Sequence, residues 1–229
     1  MFANPGPAFF RTPAATMLHL AQPLRAPAIA AKMAGTLDAL SGGRLIFFYD
    51  CGWQEAEVRA YGLDWPAEEE RIARMDEGLE LIEALWTSHE PVDFRGRYFS
   101  TSAAVCRPGP VQRPRPPIWL GEARSPTWLD AIVRHADGWT STPASPAHLR
   151  TKLDALGAAC ERAGKDIGRL ALYLEIQVLI RPPSVSGSRC NSPTTARCWR
   201  GWSSTASWWR RRMRLITPSR WTCLRVVCR

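Results

Sequence analysis

The sequence lacks any run of apolar residues long enough to cross a membrane, for which a helix needs about 18 or more. Its seven cysteines include no Cys-x-x-Cys pair, so their spacing indicates neither a zinc site nor a disulfide framework. Reduced thiols in a cytoplasmic protein are therefore expected. The chain also does not open with a charged segment followed by an apolar one, and this pattern predicts no secretory signal.

Residues 181–229 lack lysine, aspartate and glutamate altogether, although the whole chain of 229 residues contains 21 acids. They hold 11 of the 30 Lys and Arg residues, so residues 1–180 carry 19 basic against 21 acidic side chains. The net charge of +9 therefore comes from this segment alone. Its abundance of Arg, Ser, Cys and Trp suggests a nucleic-acid arm or a stretch translated out of frame, and we favour the second interpretation.

The most informative stretch of the chain runs from residue 36 to residue 53. Ser41-Gly42-Gly43 is typical of a helix end, because glycine adopts the left-handed conformation there without a Cβ clash. The apolar run Leu45–Tyr49 predicts a parallel strand that is covered on both faces. Functional side chains in α/β folds follow such strands, and here these are Asp50, Cys51, Gly52 and Trp53.

Three further helices have clear beginnings in the sequence, and one of them is predicted to start at Ser145-Pro146, with serine as the N-cap. Pro27 predicts the start of a helix whose Ile29, Met33, Leu37 and Leu40 would form one buried stripe. Ser125-Pro126 predicts a second helix start, with serine as the N-cap. It follows the short apolar strand Ile118–Leu120 after the turn Gly121, Glu122, Ala123 and Arg124.

Strands and helices alternate along residues 16–180, and the last predicted strand covers Arg169–Ile180. This order predicts an α/β fold with about five parallel strands joined by crossover helices. The loops Asp50–Trp53 and Gly121–Ser125 would then lie side by side at one rim of the sheet.

Several of these residues also allow simpler roles. Asp50 would serve equally well as the N-cap of the helix near Gln54. The tryptophans at positions 53, 119 and 139 are typical of packed interiors, and Cys51 of a buried small residue. His135 would occupy the last turn of its helix, where a cation is favoured, and His19 would face the rim only in one strand register.

Seven segments, taken in order, resemble the bacterial-luciferase-like monooxygenase family, whose members use flavin or deazaflavin cofactors. They are residues 31–44, Gly52-Trp53 with Glu57, Tyr61-Gly62, Leu85-Trp86, residues 94–99, residues 116–121 and residues 136–139. Each segment is weak alone, whereas their order and spacing are specific. The resemblance extends over residues 18–180.

The resemblance implies an incomplete eight-stranded (β/α) barrel of the TIM type over residues 1–180, followed by the irregular tail 181–229. It implies FMN or a deazaflavin at the carboxyl ends of the strands, with the phosphate near Gly121–Ser125, and it assigns no catalytic residue and no metal. A helix start favours an anion and Arg124 could pair with it, which supports the phosphate position. The expected cofactor-binding residues are Asp50, Cys51, Gly52, Trp53, Gly121, Glu122, Ala123, Arg124, Ser125 and Trp139.

The function expected from this resemblance is a flavin-dependent oxidoreductase or monooxygenase that acts on a small organic molecule. A flavin reductase and a second copy of the chain are compatible partners, whereas neither a membrane nor a nucleic acid is expected. Three alternatives stay open. They are an inactive barrel fragment, a glycoside hydrolase that uses Asp50 and Glu122, and nucleic-acid binding through the basic tail.

Overall fold

A computed structural model describes residues 16–122 and 125–175. In these ranges the strands are β1 (Thr16–Ala21), β2 (Leu45–Asp50), β3 (Val92–Arg95), β4 (Ser100–Ala104), β5 (Ile118–Leu120), β6 (Gly138–Ser141) and β7 (Ala171–Leu174). The α-helices are α1 (Pro27–Ser41), α2 (Glu55–Ala60), α3 (Glu68–Thr87), α4 (Pro126–His135) and α5 (Pro146–Arg162). The chain divides into two compact units between Gly138 and Trp139.

The predicted path from α1 to β2 is confirmed. Proline occupies the first turn of α1, and the helix ends where Gly42 and Gly43 adopt φ angles of 67° and 77°. The N–H of Gly43 donates to the carbonyl of Asp38 at 2.9 Å, which satisfies a carbonyl of the last helical turn. Strand β2 begins two residues later, at Leu45.

The sheet of the first unit has the order β1-β2-β5. Strand β1 runs parallel to β2, with Ala21 beside Asp50, and β2 runs parallel to β5, with Phe48 beside Trp119. The carboxyl ends of all three strands therefore meet at one edge. Helices α1 and α3 lie between these strands in sequence, as the predicted crossovers require.

The predicted buried stripe of α1 is wrong. Ile29, Met33 and Leu40 are 53%, 40% and 67% exposed, whereas the alanines at positions 30, 31 and 34 are fully buried. The buried face carries small side chains because neighbouring groups approach the helix backbone closely, and the indole Nε1 of Trp86 donates to the carbonyl of Ala31 at 3.0 Å. A stripe of large apolar residues was thus a poor guide to the buried face.

One buried carboxylate fixes the proline-rich connection that leads to β5. The Oδ2 atom of Asp38, a fully buried residue, accepts N–H bonds from Val111 (2.7 Å) and Gln112 (3.0 Å). Its Oδ1 atom accepts from the amide Nε2 of Gln112 at 2.8 Å. Helix α1 therefore holds the chain just before it enters the sheet.

A second carboxylate holds the hairpin of β3 and β4, which pair antiparallel. Glu77 of α3 accepts backbone N–H bonds from Arg97 (2.8 Å), Tyr98 (2.8 Å) and Phe99 (2.7 Å). These three donors belong to the turn between the strands. The hairpin is therefore fastened to the middle of α3.

His135 ends α4 as expected, but it does not act as an exposed cap. It is 7% exposed, and its Nδ1 and Nε2 atoms lie 2.9 Å from Glu83 and 3.0 Å from Asp76. Burial opposes a charge on the ring, but the hydrogen bonds to the two carboxylates outweigh it and raise the pKa of His135. The histidine links α4 to α3.

The second unit contains most of β6, all of α5 and β7. Ser145 caps α5 as predicted, because its Oγ accepts the N–H of His148 at 3.3 Å. The N–H of Glu175 donates to the carbonyl of Ser141 at 2.9 Å, next to the end of β6. The predicted strand Arg169–Ile180 is observed as Ala171–Leu174, while residues 176–180 and the tail 181–229 lie outside the described residues.

Besides the two strands of the hairpin, the described ranges contain five strands, and these alternate with helices as predicted. The most deeply buried side chains of the first unit come from β2, α3 and β5 and include Phe47, Tyr49, Met75, Leu79, Ile82 and Leu120. Among the helices described, none has the length and apolar character that a bilayer crossing requires.

Candidate functional site

The predicted site loops begin at neighbouring strand ends in the first unit. Because Phe48 pairs with Trp119 in parallel register, Asp50 and Gly121 each follow two residues later along adjacent strands. The two strand ends are close, since a Cβ added to Gly121 would lie 3.0 Å from the ring of Phe48. The loops after β2 and β5 thus start from one edge of the sheet.

Asp50 is the polar centre of this edge. Its residue is 8% exposed, its Oδ1 accepts the N–H of Gly52 at 2.6 Å, and its Oδ2 contacts Nε2 of His19. The alternative role of Asp50 as the N-cap of α2 is wrong, because Gln54 is the N-cap residue and no side-chain hydrogen bond caps the helix. Both carboxylate oxygens instead fix the loop and the histidine.

His19 is the site residue that sequence reasoning left out of the predicted set. It projects from β1, and its side chain is 42% exposed beside the much less exposed carboxylate of Asp50. The one signal for it was its place near the end of a predicted strand, and that signal depends on a register that the sequence does not fix.

Aromatic rings surround the pair. The ring of His19 stacks on Trp53, with centroids 5.3 Å apart, and meets the ring of Phe48 edge-on at 4.3 Å. Trp53 is 56% exposed, so a role in interior packing is wrong for this residue. It presents a large flat surface to solvent at the predicted rim.

A cleft of about 170 Å³ opens between the end of β1 and the loop after β2. Its walls include His19, Ala21, Leu24, Gly52, Trp53 and Glu57. Gly52 has a φ of 83°, and a Cβ there would lie 3.1 Å from the ring of Trp65 and 3.2 Å from Pro23. Only glycine lets this loop pass so close to its neighbours.

Cys51 has the character of a packing residue, as the sequence suggested. It is 5% exposed, and burial raises the pKa of its thiol to about 12, with Arg71 opposing and Asp50 reinforcing the shift. A thiol with such a pKa carries almost no thiolate near neutral pH, so it is a poor nucleophile.

The second predicted loop lies at the start of α4. The Oγ of Ser125 accepts the N–H of Trp128 at 3.3 Å, which confirms the predicted N-cap, and the indole of Trp128 donates to the carbonyl of Gly121 at 3.1 Å. Glu122 is partly buried, and Ala123 and Arg124 lie outside the described residues. Their roles in cofactor binding stay predictions.

Trp139 belongs to the second unit and is 1% exposed. Its ring is buried, in agreement with the simpler of the two roles considered for it. Its indole Nε1 is buried and has no hydrogen-bond partner within the described parts of the chain. Contact of Trp139 with a cofactor stays a prediction.

The glycoside hydrolase alternative requires a carboxylate pair in which one acid is available to a sugar or water. Asp50 already accepts the N–H of Gly52 and contacts His19. Both oxygens of Asp50 are therefore engaged within the protein, which counts against its use as the acid or the nucleophile of a sugar-cleaving pair.

Comparison with known proteins identifies the family of this chain. The profile of luciferase-like monooxygenases matches residues 15–185. The chain is 34% identical over 154 residues to the F420-dependent glucose-6-phosphate dehydrogenase of Nakamurella multipartita, a match that covers 66% of this chain and 44% of that protein. It is 30% identical over 138 residues to the FMNH(2)-dependent dimethylsulfone monooxygenase of Pseudomonas putida, covering 60% and 38%.

Solved structures support the fold. The coenzyme F420-dependent tetrahydromethanopterin reductase of Methanopyrus kandleri superposes with a TM-score of 0.61 at 22% identity, covering 73% of this chain and 50% of that one. The chain spans less than half the length of the two curated relatives. The predicted α/β class of the luciferase-like barrels is confirmed. With a profile match over most of its length, the chain belongs to the luciferase-like monooxygenase family of flavin- or F420-dependent oxidoreductases.

Proposed function

We propose that this chain carries the cofactor-facing rim of an oxidoreductase that uses FMN or a deazaflavin and acts on a small organic molecule. The observation that carries the proposal is the cluster of Asp50, His19 and Trp53 at the carboxyl ends of β1 and β2. Family membership supplies the cofactor class, and we assign the binding of that cofactor to these residues.

The residues present fit one part of such a cofactor. The exposed face of Trp53 and the ring of His19 offer stacking surface for a tricyclic ring. Ligand pockets usually measure about 300–1,000 Å³. The cleft, with about 170 Å³, therefore suits one edge of the ring rather than the whole molecule. The start of α4 beside Ser125 is suited to the phosphate.

The protein groups at this rim would bind, orient and transfer protons. Asp50 accepts from Nε2 of His19, so a neutral imidazole keeps its lone pair on Nδ1, where it can take up a proton. A bound flavin supplies oxygen activation or hydride transfer, and a deazaflavin supplies hydride transfer alone.

The test is a titration of the purified chain with FMN and, separately, with a deazaflavin, followed through the fluorescence of the ring. Trp53→Ala removes the stacking surface, and Tyr61→Ala is the matched control because Tyr61 is 65% exposed on the same loop–helix segment but lies outside the cleft. We expect Trp53→Ala to weaken binding about tenfold, since stacking on an aromatic ring contributes ~1–3 kcal/mol in other planar-base sites. Tyr61→Ala should bind like the wild type.

Each result has a distinct meaning. Binding of FMN alone supports a monooxygenase, and binding of the deazaflavin alone supports a dehydrogenase. Equal weakening by both variants would place the cofactor elsewhere. If the folded chain binds neither cofactor, the proposal fails and the inactive-fragment interpretation takes its place.

A further inference from the structure

A second cluster of ionisable side chains lies far along the chain from the rim, where α3 faces the end of α4. It contains Asp76, Glu80 and Glu83 of α3 together with His135 of α4. Arg115 pairs with Glu83 of this cluster and also with Asp137. Asp137 in turn accepts the N–H of Ile118, the first residue of β5, at 2.8 Å. The cluster therefore adjoins the amino ends of the strands, and the proposed cofactor rim does not use it.

Three of these side chains have the arrangement of metal ligands. One atom each from Asp76, Glu80 and His135 lies within 4.8 Å of the others, and Nε2 of His135 is 3.0 Å from Oδ1 of Asp76. This distance is that of a hydrogen bond, and ligand bonds of ~2.1 Å also place adjacent ligand atoms about 3.0–3.4 Å apart, so a cation that displaces the bridging proton would find both ligand atoms at a suitable spacing. Glu80 lies one helical turn after Asp76 and is exposed, so its side chain can swing to close the remaining distance.

The surroundings of the histidine match those of a metal-bound imidazole. Nδ1 of His135 is 2.9 Å from Oε1 of Glu83, and Oε2 of Glu83 accepts from Nε of Arg115 at 3.2 Å. A carboxylate on one ring nitrogen fixes the tautomer and aims the other nitrogen, a pairing that accompanies most histidine ligands. Here the nitrogen so aimed is Nε2, which is hydrogen-bonded to Asp76 and would become a ligand when a cation displaces the proton between them.

The charges around the cluster leave room for a cation. Arg134 pairs with Oδ2 of Asp76, which leaves Oδ1 directed toward the histidine. Glu80 has no hydrogen bond or ion pair with any residue that the structure describes, although it lies beside a second carboxylate. Two neighbouring carboxylates repel each other, and a divalent ion between them would remove that repulsion.

We propose that Asp76, Glu80 and His135 form a binding site for a divalent cation of the manganese or zinc class, with water completing the coordination. Carboxylate ligands suit manganese, and an imidazole ligand extends the preference to zinc. The site joins α3 to α4, so an ion bound there would strengthen the contact between the two helices by mass action.

The test uses Mn²⁺ alone, because thiolates bind it poorly and the seven cysteines then do not compete. The full chain is stripped with a chelator and titrated while the electron paramagnetic resonance signal of free Mn²⁺ is recorded. Glu80→Gln removes one ligand without touching the ion pairs of Asp76 or Glu83. Glu69→Gln is the control, because Glu69 is exposed on the same helix and lies outside the cluster.

We expect the wild type and Glu69→Gln to bind Mn²⁺ with sub-millimolar affinity. Glu80→Gln should bind Mn²⁺ at least about tenfold more weakly. The bound ion should also show magnetic coupling to one imidazole nitrogen, which a surface carboxylate site would not produce. Absence of binding by the folded chain, equal affinity of the two variants, or a bound ion without nitrogen coupling would each overturn the proposal.

Discussion

At the scale of single residues, the site shows which positions a sequence can identify. The position of Asp50, Gly52 and Trp53 at the carboxyl end of β2 could be predicted because they directly follow an apolar run, and a parallel strand leads into a loop at that end. His19, the partner of Asp50, was not predicted, because the two residues lie on neighbouring strands whose relative register the local sequence pattern does not set. Asp38 and Glu77 were missed for the same reason, since their backbone partners are distant in sequence.

Two glycines with the same backbone conformation separate the effects of strain and of crowding at the rim. Gly52 and Gly62 have φ angles of 83° and 74°, but a Cβ would contact Trp65 and Pro23 at Gly52 and nothing within 4 Å at Gly62. We expect Gly62→Ala to lower the free energy of unfolding by about 1–2 kcal/mol through backbone strain alone. Gly52→Ala should cost a further ~1–3 kcal/mol because of the contacts.

Urea unfolding of the two alanine variants measures this difference. Equal losses for both would mean that the loop after β2 is not packed against Trp65 and Pro23, and the close geometry of the cleft would then be wrong.

At the scale of the secondary structure elements, prediction succeeded where a local signal marks an end. Proline and glycine set the limits of α1, and serine set the starts of α4 and α5. The buried face of α1 was predicted wrongly, because a stripe of large apolar residues says nothing of how closely a neighbour approaches. The alanine face allows the closer approach and is the one that packs.

Substitutions on the two faces of α1 test its orientation. Leu40 is 67% exposed, so Leu40→Ser should change the free energy of unfolding by less than about 0.5 kcal/mol. Ala34 is fully buried, so Ala34→Leu should destabilise the chain by about 1–3 kcal/mol through overpacking. The opposite ranking in urea unfolding would restore the orientation that the sequence suggested.

At the scale of the whole molecule, the alternation of strands and helices was enough to predict the fold class, since few topologies accept that order. The division into two units after Gly138 was not predicted, because no change of composition marks it. A change of composition is evident only at residue 181, where the acids end.

The uneven charge gives a prediction for the full chain. Residues 1–180 carry a formal charge of −2, whereas the complete sequence carries +9. If residues 181–229 act as a nucleic-acid arm, the full chain binds DNA in a salt-dependent manner, and a chain that ends at Ile180 loses this binding. Binding is measured at several salt concentrations, with circular dichroism as the check that the shorter chain is folded. Unchanged binding without the tail would exclude the tail as a nucleic-acid arm.

The hydrogen bonds that Asp38 accepts from Val111 and Gln112 affect where the chain can tolerate insertions and deletions. The chain between the end of α3 and residue 110, including the β3–β4 hairpin, therefore returns to the sheet through a fixed point. Insertions or deletions in this segment, away from the turn that Glu77 holds, would be absorbed before the chain reaches β5, so the loop at Gly121 would keep its position. Variation in that segment can then accumulate, or be engineered, independently of the chemistry at the opposite edge.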